Sequence, residues 1–158
     1  MTEIFAVYKF VSSRLKASSA LAALVGTRIY AGIAPSGTLI YPLISFSVRS
    51  NRDRSVVDGE SAYIDCLIDV KLVTNQGLGS LADADALVFS LLHRTGAADV
   101  DNIHIMGCYR TNSMITEQPD GTEVFRYSIH TYRVRAYRTT VTLFAERQGP
   151  ARLSPALP

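Results

Sequence analysis

The sequence predicts a single α+β domain, residues 1–145, in which two long helices pack on a mainly antiparallel sheet of four to five strands in the order α-β-β-α-β-β. Three observations carry that expectation: two segments place apolar residues at helical spacing, four are strand-like, and Gly, Pro and Asp gather between them. With 158 residues, 47% of them apolar, the chain is long enough to bury a core without metal or disulfide staples.

Taken in order, residues 3–16 set Ile4, Val7, Tyr8, Val11 and Leu15 on one helical stripe, with Thr2 placed to cap the first turn. A short second helical turn follows over residues 20–25. Ser18 or Ser19 can cap it, and Gly26 can end it in the left-handed conformation. Arg28, Ile29 and Tyr30 then lead into a loop punctuated by Pro35, Gly37 and Pro42. From Leu43 the pattern alternates, Ile44, Phe46 and Val48 against Ser45, Ser47 and Arg49, as in a strand with one wet face. Residues 51–60, with Arg52, Asp53, Arg54, Asp58, Gly59 and Glu60, are polar enough to predict a mobile connection.

The next strand is the clearest, with Ile64, Cys66, Ile68, Val70 and Leu72 inward, and it should pair with the first as an antiparallel hairpin. After the Gly-rich residues 75–80, a second long helix is marked by Leu81, Ala84, Leu87, Val88, Leu91 and Leu92. Ser80 is placed to cap it and Gly96 to stop it. Two strand-like segments, 103–116 and 122–138, complete the domain as a second hairpin around Gln118, Pro119, Asp120 and Gly121. Apolar parity in the last segment changes between Ile129 and Tyr132, which predicts a bulge near His130 or Thr131. At about 3.3 Å per residue this segment spans roughly 55 Å, so part of the hairpin must bend over the domain or project beyond it. Residues 141–145 could add strand, and residues 146–158 form an extended, Pro-containing tail that cannot build a core.

Composition narrows the function. No apolar run reaches the roughly 20 residues of a membrane span, and the start of the chain lacks the pattern of a signal peptide, which predicts a soluble protein that stays in the cytoplasm of the cell that makes it. The formal charge of +2 comes from scattered basic residues and predicts no nucleic-acid partner. Cys66 and Cys108 belong to no CxxC pair and read as buried or half-buried thiols. A mean hydropathy of +0.14 is high for a small soluble chain and suggests surface that a partner covers.

Motifs for chemistry are missing. Gly77 and Gly79 lack the third glycine of a dinucleotide loop, and there is no Walker lysine, GxSxG elbow or HExxH. A pair of His104 and His130 across the second hairpin is conceivable, but without a third ligand it makes a weak metal site. Asp65 and Asp69 lie roughly 13 Å apart along a strand, too far for paired-carboxylate catalysis, and read as solvated groups or ion-pair partners. No cofactor and no metal are expected.

Arginine is the polar residue used most heavily. Arg49, Arg52 and Arg54 enter or occupy the first connection, with Asp53 among them, and Arg126, Arg133, Arg135 and Arg138 line the last strand. Arg suits protein interfaces because its planar fork bonds bidentately and stays charged. An ordinary solvated sheet face explains the same pattern.

The stretch Leu21-Ala-Ala-Leu-Val-Gly-Thr-Arg28-Ile29-Tyr30, then Ala34-Pro35 and Tyr41-Pro42 leading the first strand, resembles the tail-completion (tail terminator) proteins of long-tailed phages and related gene-transfer particles. The resemblance covers residues 4–137. It implies a virion protein without catalytic residues, assembled in the host cytoplasm into a ring, typically of six copies. Such a ring sits on the tail tube, stops tube polymerisation and meets the head-side connector, and DNA passes through its lumen without sequence-specific binding. Arg28, Ile29 and Tyr30 would serve the fold. Interaction residues are expected at the first connection, Arg49, Arg52, Asp53 and Arg54, at the second hairpin tip, Pro119, Asp120 and Gly121, and on the last strand, Arg133 and Arg135. The alternatives are a head–tail adaptor or a monomeric binding module of the same fold, and a small enzyme.

Overall fold

Strands hold 52% of the residues described by the computed structural model, which are 3–35, 39–55 and 61–138. The elements run α1 (Glu3–Lys16), α2 (Ser19–Val25), β1 (Ile29–Ala31), β2 (Leu43–Ser55), β3 (Ser61–Thr74), α3 (Gly79–Leu92), β4 (Ala98–Val100), β5 (Ile103–Asp120) and β6 (Glu123–Arg138). They build one six-stranded sheet in the order β1-β2-β3-β6-β5-β4. It is a mixed sheet, because β1 runs parallel to β2 while every other pairing is antiparallel.

This corrects the predicted architecture of two long helices on four to five antiparallel strands. Neither α1 nor α3 exceeds 14 residues, about 21 Å at 1.5 Å per residue, whereas β5 has 18 residues and could reach about 60 Å. The two extra strands have three residues each, too few to show alternation in the sequence.

Helices cover one face of the sheet. Ala6, Val7, Phe10, Val11 and Leu15 of α1, Leu21 and Val25 of α2, and Leu81, Ala84, Val88 and Leu92 of α3 form one cluster with the inward residues of β3: Ile64, Cys66, Ile68, Val70 and Leu72. Both cysteines are buried and free. Burial pushes their thiols up, to about 11 for Cys66 and about 12 for Cys108. Among the described residues no helix lies on the opposite face, which we call the open face.

Local signals hold unevenly. Ser18 caps α2 by accepting from the Leu21 N–H at 3.2 Å, and Gly26 ends it at φ 60°. Ser80 does not cap α3. The helix begins one residue before it, and the Ser80 hydroxyl instead donates to the Gly77 carbonyl at 2.8 Å. Arg94, at φ 56°, follows the helix before Gly96 is reached.

The strands outrun their predicted bounds. β2 continues through residues 51–55, where a polar connection was expected, because β3 pairs with it residue by residue from Leu43 to Ser55. β5 includes Pro119 and Asp120, so the turn narrows to Gly121 and Thr122, with Gly121 at φ 63°. The predicted bulge in the last strand is absent, since β6 keeps unbroken register with β3 from Arg126 to Ala136. Irregularities lie instead in β5, between Ile105 and Gly107 and between Arg110 and Asn112, and in β2 between Val48 and Ser50. The change of parity has another cause: Ser128 and His130 occupy the helix side, and Ile129 and Tyr127 the open face. Expectations for Thr2, Gly37, Asp58, Gly59, Glu60, residues 141–145 and the tail 146–158 lie outside the described residues.

Candidate interaction surface

Strand register decides which of the predicted residues meet. Arg52 stands opposite Asp65, Asp65 opposite Arg135, and Leu67 opposite Arg133, all on the open face because their neighbours Cys66 and Val134 enter the core. Arg54 follows on the same face, opposite Tyr63. Asp65 is the centre of this group, only 8% exposed. Arg135 donates from Nε to its Oδ1 at 2.9 Å, and Arg54 Nε approaches Oδ2 at 3.5 Å. The Arg135 guanidinium also lies over the Tyr63 ring, 5.4 Å from its centroid. Hydrogen bonding to Asp65 raises the Arg135 pKa further.

Beyond the Leu67–Arg133 row, the next row is similar but less charged. Asp69 accepts from the Thr131 hydroxyl at 2.7 Å, which makes both aspartates of β3 structural partners. Across β6, Tyr109 stands opposite Arg133 and its ring covers Gly107, where a Cβ would come within 3.1 Å of it. Arg133 itself is exposed. Arg126 does not join this surface. It faces the helix side, where it bonds Glu117 at 2.8 Å and the Gln76 carbonyl at 3.0 Å.

Pro119, Asp120 and Gly121 are far from the arginines. The β5–β6 turn lies at the end of the sheet where β3 finishes at Thr74, whereas residues 51–55 lie at the end where β3 begins. The two predicted interaction loops therefore occupy opposite ends. Below the turn, a cavity of about 290 Å³ is lined by Tyr41, Gln118, Pro119, Asp120, Phe125 and Tyr127. The Tyr41 and Phe125 rings pack at 5.2 Å, and partial burial, followed by Tyr127, Glu123 and Asp120 nearby, raises the Tyr41 pKa.

A polar cluster lies between α3 and β6. Asp85 of α3 accepts from Ser128 Oγ and from His130 Nε2, each at 2.5 Å. It resembles a Ser-His-Asp arrangement in composition only. A relay needs carboxylate and hydroxyl on different ring nitrogens, but both sit at Nε2, while the buried Nδ1 has no partner. Ser128 is also buried, out of reach of a substrate. The sequence signal was available as two polar residues, Ser128 and His130, at inward positions of a strand. His104 does not approach His130: it lies on the open face, bonded to Asp99 at 2.7 Å and packed on Tyr137. Among the described residues no group of three or more His, Cys, Asp or Glu could hold a metal ion.

The residues of the resembling stretch do serve the fold. Arg28 Nε donates to the Pro42 carbonyl at 2.9 Å, its own carbonyl accepts from the Ile44 N–H, and Ile29 is buried. Tyr41-Pro42 is a cis peptide bond.

Known proteins match this chain both as a family and as solved structures. A family model described as "Tail completion protein gp17" matches residues 10–140. Among solved structures, a chain of the "Virion of native gene transfer agent (GTA) particle" superposes with a TM-score of 0.68 at 20% identity, covering 86% of this chain and 98% of that one. At that identity the likeness is one of fold. No curated protein matches.

Proposed function

Because this chain belongs to the tail completion protein gp17 family, a family of structural tail proteins of phage-like virions, we propose that it is the ring-forming tail terminator of such a particle. In this reading six copies close on the end of the tail tube, stop its polymerisation and present the opposite rim to the head-side connector. DNA passes through the lumen without sequence-specific contact. The family match over residues 10–140 carries the reading.

The shape of the sheet supports it. The β2–β3 and β5–β6 hairpins extend toward opposite ends, so one copy has a separate element for each neighbouring layer. Arg49, Arg52, Asp53 and Arg54 at one end, and Pro119, Asp120 and Gly121 at the other, are the proposed contacts with the tube, the connector or the adjacent copy. Arg133 and Arg135 contribute from the open face between them.

Particles assembled with Arg52→Glu and Arg54→Glu together, or with 119–121 replaced by a shorter turn, should show abnormal tail lengths or unjoined heads in electron micrographs. Normal particles from both variants overturn the reading. Light scattering on the purified chain separates a ring from a monomeric binding module.

A further inference from the structure

Both outer strands of the sheet leave a long edge uncovered. β1 pairs only with residues 44–46 of β2, and β4 only with residues 103–105 of β5. The next backbone groups are capped: the Val48 N–H donates to Tyr8 Oη at 3.0 Å, and the Arg110 N–H to His93 Nδ1 at 3.1 Å. Beyond these caps, residues 49–55 of β2 and 112–120 of β5 have no strand on their outer side among the described residues. Open edges of this length are templates for a further strand.

The two edges complement each other. Ser47, Asp69, Thr131 and Asn112 form one crosswise row, and the open edges run from it in opposite directions. β2 and β5 are antiparallel, being separated by three antiparallel pairings. The β2 edge carries Arg49, Arg52 and Arg54, with Asp53 as its one acid. The β5 edge carries Glu117, which Arg126 already holds on the helix side, and Asp120, with no Lys or Arg. It also exposes Met114 and Ile115, at 49% and 62%.

Building on the ring reading above, we propose that the open β5 edge of one copy pairs antiparallel with the open β2 edge of the next, so that the sheets continue from copy to copy. Such a contact joins two different surfaces and propagates until the rotation closes it. The offset between the edges makes the strands incline to the ring axis, as strands do in closed barrels. The helices of successive copies must stay on one side of the wall, and this fixes parity. Arg52 and Arg54, on the open face, meet Met114, Thr116 or Gln118, while Ser113, Ile115 and Glu117 point to the other side. With Arg52 opposite Thr116, Asp53 avoids Glu117 and Asp120 comes beside Arg49.

The test is disulfide trapping of the purified full chain under mild oxidation, with electron micrographs of the same samples. Chains carrying R52C together with T116C, and independently R52C with Q118C or M114C, are compared with chains carrying R52C and I115C. The expected result is a ladder of linked copies ending at the closed ring from at least one same-face pair, none from the opposite-face pair, and none from R52C or T116C alone. Rings without a ladder from any same-face pair overturn the edge pairing and leave the ring standing. Equal linking by the I115C pair also overturns it. A monomer by light scattering at every concentration overturns both.

Discussion

Arg28 holds Pro42 by a hydrogen bond from Nε to the carbonyl at 2.9 Å, tying the exit of α2 to the entry of β2. The guanidinium also lies over Gly26, where a Cβ would sit 3.4 Å from Nη1. Removing the side chain leaves a half-buried carbonyl without its donor. Arg28→Ala should lower unfolding stability by about 1–2 kcal/mol in urea titration. Arg28→Lys should recover less than half, because an ammonium lacks the planar Nε–H.

Asp65 is the common ion-pair partner of two arginines on a sheet face that no helix covers among the described residues. Asp65→Asn should cost about 1 kcal/mol or less, since both cations are substantially exposed, and the loss should shrink at 1 M salt. Equal losses at low and high salt would show that charge pairing is not what holds the group.

The cluster of Asp85, Ser128 and His130 behaves differently because it is largely dry. Asp85→Ala strips two buried donors of their acceptor and should cost about 2–3 kcal/mol. Replacing the set together, D85L with S128A and H130L, should recover most of that, as apolar groups of similar volume need no partners. Calorimetry of both variants decides between a structural cluster and one whose worth is additive.

Alkaline pH should weaken the fold through the thiols. Cys66 and Cys108 titrate near 9 when unfolded but at about 11 and about 12 when folded. Between these values the unfolded chain has released protons that the folded chain retains. Stability is therefore whole below pH 9 and falls as pH rises toward 11–12, by up to about 1.4 kcal/mol per pH unit for each thiol. C66A with C108A should flatten that slope, and iodoacetamide should leave the native thiols unmodified at pH 8.

Gly121 is the first residue of the two-residue turn, at φ 63° with nothing near its Cβ position. Gly121→Val should therefore cost about 1–2 kcal/mol through the backbone alone, and Gly121→Asn much less. Proteolysis at the tip, rather than global melting, reads that change most directly.

Much of this fold is legible residue by residue. The inward run from Ile64 to Leu72 is readable because a strand buried on one face alternates strictly, and the stripe of α1 because its apolar residues recur at helical spacing. β1 and β4 escape the same reading, since their registers are set by what lies beside them. The charges of residues 51–55 have the composition of a loop, but pairing with β3 prevails over composition there and keeps β2 extended to Ser55. The arginines stood out by number. Their common partner Asp65 did not, because two strands on either side of β3 had to be placed before Arg54 and Arg135 could converge on it. Asp85 sits mid-helix in α3, and its bonds to Ser128 and His130 span more than 40 positions of sequence, beyond the reach of local pattern.

The two hairpins point toward opposite poles of one copy, yet the proposed edge pairing brings the pole of one copy against the opposite pole of the next. Sequence drift around residues 52–54 must then be matched by drift around 114–118, which the same gene encodes. Second-site suppressors of lesions at Arg52 or Arg54 should accordingly fall within this chain, on β5.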